Sequence, residues 1–243
     1  MSVSRKVTAV EMEEGEGAKV RRVFPTSHLM HLDPFVLLDE FFVEPPAGFP
    51  SHPHGGFEAV TYMLEGGFHH TDNLGNDSVV LAGGVQRFTA GRRIVHSELP
   101  GTNGLNRGLQ LWVRLPNRLM GLEPDYQQVE PLAIPEKDIG GCRVRMIVGE
   151  GSPVGLRTKV EYLDVTLPQQ KEFTHEVGPG FNALLYVLEG TLAIGRSRVE
   201  RGEAAVLTAD VQVNVHSTEK ARFVLISGKP HGEPIMLRGS FVH

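Results

Sequence analysis

The sequence predicts an all-β protein built as two tandem barrels, and three observations carry that expectation. Short apolar runs rich in β-branched and aromatic residues recur along the chain, most with Gly, Pro, Asn or Asp near their ends. Amphipathic helical periodicity is absent over any useful length. One motif occurs twice: Val60-Thr-Tyr-Met-Leu-Glu-Gly66 is echoed by Leu184-Leu-Tyr-Val-Leu-Glu-Gly190, with the Tyr, Leu, Glu and Gly identical.

In chain order, the first strand expected is Phe57–Leu64, which ends in the Glu65-Gly66 turn. Leu109–Leu115 follows, and Asn117–Leu122 can form a single helical turn. The segment Glu123–Lys137 carries Pro124, Pro131 and Pro135, so a domain boundary is expected there, dividing residues 1–130 from 131–243. Strands are then expected at Arg143–Val148, Val160–Leu167, Ala183–Leu188 and Arg222–Ser227. After each Glu-Gly turn a mixed stretch leads to further glycine, Gly83-Gly84 in the first copy and Gly202 in the second. A repeat this long in 243 residues means two copies of one barrel rather than a solenoid. Barrel or sandwich closure hides the sheet edges that so many strands would otherwise expose.

Composition narrows the function. With 40% hydrophobic and 22% charged residues the chain can bury a core. A net charge of −5 without basic clusters argues against direct nucleic-acid binding through phosphates. Cys142 stands alone, which excludes an intramolecular disulfide and suits a reducing compartment. The charged stretch Met1–Val23 lacks a signal-peptide core, and no apolar run is long enough to span a bilayer. These features predict a cytoplasmic protein with no membrane association.

Two short motifs point to a metal. In Ser51-His52-Pro53-His54, ahead of the first repeat strand, residues i and i+2 of an extended chain face the same way, so two imidazoles can aim at one point. Val95-His96-Ser97-Glu98 offers a second such pair. Two antiparallel strands, each contributing one pair, would enclose an ion with His52, His54, His96 and Glu98. Three imidazoles and a carboxylate suit divalent Fe, Mn, Ni, Cu or Zn, and do not suit thiolate chemistry or an all-oxygen calcium site. His69, His70 and Asp72 after the Glu65-Gly66-Gly67 turn read as a solvated loop, and Gln86 and Arg87 as facing the cavity or the domain interface. In the second copy, aligning the Leu-Glu-Gly turns sets Glu176 and Gly178 at the places of His52 and His54. His216 falls near the His96 position, but Thr218 stands where a carboxylate would be needed, so the second barrel is expected to be metal-free, with His175 and His216 ordinary hydrogen-bonded residues.

Segments across the chain carry a resemblance. They are His31-Leu-Asp-Pro-Phe-Val-Leu-Leu-Asp-Glu-Phe41, Gly48-Phe-Pro-Ser-His-Pro-His-Gly-Gly-Phe-Glu58, Thr89-Ala-Gly-Arg-Arg-Ile-Val-His-Ser-Glu98, Gly108-Leu-Gln-Leu-Trp-Val-Arg-Leu-Pro116 and Gly228-Lys-Pro-His-Gly-Glu-Pro234. In this order they resemble the pirin family of the cupin superfamily. The resemblance implies two cupin (jelly-roll) barrels, with iron held in the N-terminal one by His52, His54, His96 and Glu98. Ordinary cupins carry the glutamate ligand where Glu58 lies, so Glu58 is expected behind the ligands, orienting an imidazole. Gly55 stands where the family usually has Arg, Arg87 where it has Trp, and Phe88 and Arg93 where it has Met and Gly. The chain's stop at His243 leads to the expectation that the C-terminal helix of longer relatives is missing.

The activity so implied is that of a quercetin 2,3-dioxygenase-like oxidoreductase, acting with O₂ on a flavonol or another enolisable aromatic. Four protein ligands on an octahedral ion leave two positions for substrate oxygen, O₂ or water, and Glu98 is the candidate catalytic base. Phe57, Met63 and Phe88 are candidate apolar walls. The resemblance equally implies an alternative, a non-enzymatic, redox-responsive iron protein that docks on a protein partner. A sugar- or acid-binding barrel without redox chemistry is a third reading, favoured if the ion is zinc.

Overall fold

The computed structural model describes residues 2–208 and 212–243, and among them strands dominate. Two single-turn 3-10 helices, Asn117–Leu119 and Pro131–Ala133, are the only helical elements among the described residues. No helix among those residues is long and apolar enough to cross a membrane.

The chain opens with β1 (Val3–Thr8), β2 (Val10–Glu14), β3 (Ala18–Phe24) and β4 (Phe35–Val43). Next come β5 (Phe49–His54), β6 (Phe57–Glu65), β7 (Gly67–Asp72), β8 (Asp77–Leu81), β9 (Val85–Thr89), β10 (Ile94–Pro100) and β11 (Asn106–Arg114). The middle holds β12 (Asp125–Val129), β13 (Glu136–Ile139), β14 (Cys142–Val148), β15 (Val160–Leu167) and β16 (Lys171–Glu176). The last third holds β17 (Asn182–Glu189), β18 (Thr191–Ile194), β19 (Ser197–Glu200), β20 (Glu203–Leu207), β21 (Gln212–Ser217) and β22 (Ala221–Gly228), then the two-residue β23 (Leu237–Arg238) and β24 (Phe241–Val242).

Contacts gather these strands into two compact units, Val10–Ile134 with His231–His243, and Met1–Ala9 with Pro135–Pro230. The first contains a seven-stranded sheet, β12-β9-β6-β11-β4-β3-β2, and a four-stranded sheet, β5-β10-β7-β8. In the second the orders are β1-β20-β17-β22-β15-β14-β13 and β16-β21-β18-β19. The two orders match strand for strand, which makes the chain two copies of one barrel. The edge beside β9 is closed by β12, whereas the edge beside β20 is closed by β1 from the other end of the chain. Residues 231–243 are in turn part of the first barrel.

The second barrel is filled with apolar side chains. Phe173, Leu185, Leu192, Ile194, Val213, Val215, Phe223 and Leu225 belong to one buried cluster. Phe173 is 1% exposed and meets Phe223 edge-on at 5.8 Å. Phe173→Ala is therefore expected to destabilise this barrel by about 3–5 kcal/mol, from lost transfer energy and the cavity left behind. The shift in urea midpoint checks this, and metal content should not change.

Candidate metal centre

The strand β5 is an edge strand of its sheet, which is why it tolerates Pro50 and Pro53, residues without an amide hydrogen for the ladder. Its partner β10 pairs His96 with His52 and Ile94 with His54. The register then shifts, because Glu98 pairs with Phe49, so Pro50 and Ser51 together stand opposite Ser97. Such a bulge bends the strand and re-aims its side chains. His52 Nδ1 lies 2.6 Å from the Pro50 carbonyl, and His54 Nδ1 lies 3.1 Å from the Ser240 carbonyl. A carbonyl only accepts, so each Nδ1 carries the proton and each Nε2 keeps its lone pair for a ligand. Trp112, Phe57 and Phe88 surround the His54 ring at centroid distances of 4.9, 5.1 and 5.8 Å. Burial, with help from the neighbouring His52, pushes the His54 pKa down to about 3, so this imidazole is neutral near neutral pH.

His52, His54 and His96 bring their ligand atoms within 4.8 Å of one another. Glu98 falls in a second cluster of the same tightness, with His96 and His70, and faces the same cavity as His52 and His54. Its carboxylate accepts from three neutral donors, Thr61 Oγ1 at 3.3 Å, Gln110 Nε2 at 3.1 Å, and Gln86 Nε2. Burial drives its pKa up to about 7 against the pull of those hydrogen bonds. The Nε2 atom of His96 is buried and has no hydrogen-bond partner. Imidazoles aimed together, one with an orphaned nitrogen, and a buried carboxylate bonded only to neutral groups are what a divalent cation would satisfy. The donor set fits such an ion.

His70 and Asp72 correct the expectation of a solvated loop. Both lie on β7, paired with Glu98 and His96 across the strand gap, and both side chains are 0% exposed. Of the three, only His69, which precedes them, points outward, where it meets Asp77 at 2.6 Å. The alternation Phe68, His70, Asp72 was the available signal, hidden because His69 and Thr71 are polar too. Gln86 faces inward onto Glu98, while Arg87 on the opposite face bonds Gln127 and Asp125 of β12 and donates to Thr89 Oγ1 at 3.2 Å. Thr89 in turn donates to the fully buried Glu58 at 3.2 Å.

A polar row crosses the floor of the first barrel. Gln86, Thr61, Gln110, Asp39 and Arg22 stand opposite one another on β9, β6, β11, β4 and β3. Arg22 holds Asp39 through two bonds, at 2.9 and 2.7 Å. In the second barrel the same row, counted from the shared Tyr, reads Ala205, Leu185, Leu225, Leu163 and Met146. The fold is thus built equally well with an apolar row, and burying an ion pair has a desolvation cost. The polar row serves the cavity rather than the architecture. That cavity has a volume of about 580 Å³, with Leu37, Phe41, Phe49, Phe68 and Trp112 as apolar walls. Of the walls expected from sequence, Phe57 and Phe88 instead pack behind His54, and Met63 sits in the cluster with Phe41 and Phe68.

Strand pairing also corrects the alignment of the second copy. Ala193 of β18 pairs with His216 where His69 of β7 pairs with Leu99, so His216 sits level with Leu99. The levels of His96 and Glu98 are held by the buried Val213 and Val215. His175 pairs with Val213 as His52 does with His96, so His175 and Val177, not Glu176 and Gly178, take the places of His52 and His54. His175 is bonded to Glu161 at 2.6 Å. His175→Ala and His216→Ala should leave metal content unchanged by elemental analysis. One tightly held equivalent in the second barrel would contradict this.

Gly55 and Gly56 have a steric role. A Cβ on Gly56 (φ +86°) would lie 1.9 Å from the Val242 carbonyl oxygen, and one on Gly55 would lie 2.9 Å from the Phe241 ring. The pair lets residues 240–242 run close against the end of β5, where Ser240 reaches His54.

Comparison with known proteins gives a consistent picture. The family model Pirin matches residues 17–113, and Pirin C-terminal cupin domain matches residues 162–243. Pirin-like protein 2 of Arabidopsis thaliana is 43% identical, covering 99% of this chain and 79% of that one. Pirin of Homo sapiens is 39% identical, covering 100% and 89%. A crystal structure of quercetin 2,3-dioxygenase from Acinetobacter baumannii superposes with a TM-score of 0.92 at 30% identity, covering 99% of this chain and 91% of that one.

Proposed function

The chain belongs to the pirin family, and from that membership and the first barrel's geometry we propose a metal-dependent dioxygenase acting on a flavonol or related enolisable aromatic. The observation that carries the reading is the convergence of His52, His54 and His96 beside the buried Glu98, at a cavity with aromatic walls and a polar floor. The name of the Acinetobacter baumannii neighbour, quercetin 2,3-dioxygenase, supports the same chemistry. His52, His54, His96 and Glu98 would hold one divalent transition metal, with Fe(II) the ion the family reading favours. When bound, such an ion supplies Lewis acidity that favours ionisation of a substrate hydroxyl and an open position for substrate or O₂.

The protein's own groups do the rest. Phe41, Phe68 and Trp112 bind the flat ring and keep water from it. Gln110, Asp39 and Arg22 offer partners to the hydroxyls such a substrate carries. Glu98 accepts the hydroxyl proton on a carboxylate oxygen that faces the cavity. Thr61, Gln86 and Gln110 keep the carboxylate in place while it does so.

Oxygen uptake by the iron-loaded protein, measured across a flavonol panel alongside metal analysis, tests the reading. Substrate-dependent uptake in proportion to bound iron is expected. Background uptake from a fully loaded site would count against the enzyme and leave the docking protein as the function of that site.

A further inference from the structure

His96 is the one ligand candidate whose Nδ1 meets no backbone carbonyl in the structure; it lies instead 3.4 Å from His70 Nδ1. The other ring nitrogen of His70, Nε2, lies 3.0 Å from Asp72 Oδ2. Asp72 is itself fixed. Its Oδ1 accepts from the Leu74 and Asn76 amides at 2.9 and 3.1 Å, and Asn76 Nδ2 donates to Oδ2 at 2.8 Å. The His70 ring is clamped flat against Tyr126, with centroids 4.3 Å apart and planes inclined by 18°.

Proton counting fixes the direction of this chain. A carboxylate oxygen only accepts, so His70 Nε2 carries the proton that points to Asp72. The neutral ring then has its lone pair on Nδ1, and His96 Nδ1 must donate to it. His96 Nε2, buried and without a partner, is left with a bare lone pair. The reverse order would put a proton on Nε2 and block coordination. We propose that Asp72 and His70 are positioning residues, a two-residue relay that selects the metal-binding tautomer of His96. The proposal rests on His96 being a metal ligand.

The second barrel offers an internal comparison. Counted from the shared Glu-Gly turn, His70 corresponds to the buried Ile194 and Asp72 to Arg196, while the His96 level holds Val213. Relay and ligand are absent together from the copy built on the same strands. Were the polar pair needed to build β7 into the barrel, β18 would need it as well.

Asp72→Asn is the discriminating variant. The backbone amides at Oδ1 would retain the side-chain oxygen there, which turns the NH₂ toward His70 Nε2. His70 would then accept at Nε2 and carry its proton on Nδ1, and His96 would be driven to the Nε2–H form. Imidazole ¹⁵N shifts of the metal-free full chain read the tautomer, with His96 assigned by loss of its signals in His96→Ala. Competition against a chelator, with Ni(II) as the probe ion, reads affinity. The expected wild-type result is Nδ1–H on His96. In Asp72→Asn the tautomer should reverse and Ni(II) binding weaken by about 10–100-fold, the usual range for a partner behind a ligand. His70→Gln can donate to Asp72 and accept from His96, so it should stay near wild-type affinity, while His70→Ile, which copies the second barrel, should not. A wild-type His96 carrying its proton on Nε2, or unchanged Ni(II) affinity in Asp72→Asn, overturns the relay. If the wild-type chain takes up no Ni(II), the metal reading itself fails, and the spectra of the metal-free chain still decide the relay.

Discussion

His52→Ala and His96→Ala are each expected to yield a folded protein that has lost its stoichiometric metal. Each variant removes one donor from a scaffold that forms without the ion, unlike a zinc finger, whose folding is its metal binding. His52 sits on an edge strand and is only partly buried, so its loss disturbs little packing. His96 is 1% exposed and touches Phe88 at a centroid distance of 4.7 Å, so its loss opens a small cavity within an otherwise intact barrel. Three donors that include a carboxylate still attract a divalent ion, so the expected change is from about one equivalent to weak, non-stoichiometric binding that dialysis removes. Elemental analysis of dialysed protein, with circular dichroism to establish folding, makes the comparison. Full occupancy in both variants would overturn the assignment of these imidazoles.

What could be read from sequence was what two strands buried on both faces share with their repeat. The strands β6 and β17 are almost wholly buried and both end in the same Glu-Gly turn, so their apolar runs and their kinship were visible together. The two i, i+2 pairs were legible for a similar reason, since an extended chain dictates which neighbours share a face. Register was not legible. His52 lies 13 residues before Glu65, whereas His175 lies 14 before Glu189, so a constant offset from the turn slips by one residue at β16. A one-residue slip on a strand exchanges the two faces. That slip set Glu176 in the place His175 takes. His70 was missed because a polar residue looks the same in a loop as on a strand, and what buries it, Tyr126 and β10, comes from elsewhere in the chain. The polar row was unreadable for the same reason: Gln86, Thr61, Gln110, Asp39 and Arg22 are scattered in sequence and meet only through pairing.

Glu98→Gln should separate the possible roles of the buried carboxylate. The substitution keeps the shape and one oxygen donor but removes the negative charge and the capacity to accept a proton. Its surroundings make the exchange testable, because Thr61, Gln86 and Gln110 already point donors at both oxygens. A glutamine there turns its NH₂ toward one of those donors, so at least one hydrogen bond is lost and the side chain is held less firmly. If Glu98 is both ligand and base, the variant should keep part of its iron and lose turnover per bound iron by roughly 10²-fold or more, the scale of a lost general base. If the carboxylate only holds the ion, affinity should fall while turnover per bound iron stays near wild type. A protein that works by docking would show no flavonol turnover before or after the change. Oxygen consumption per iron atom, wild type against variant, distinguishes the three, and an unchanged value in a fully loaded variant would remove Glu98 from both roles.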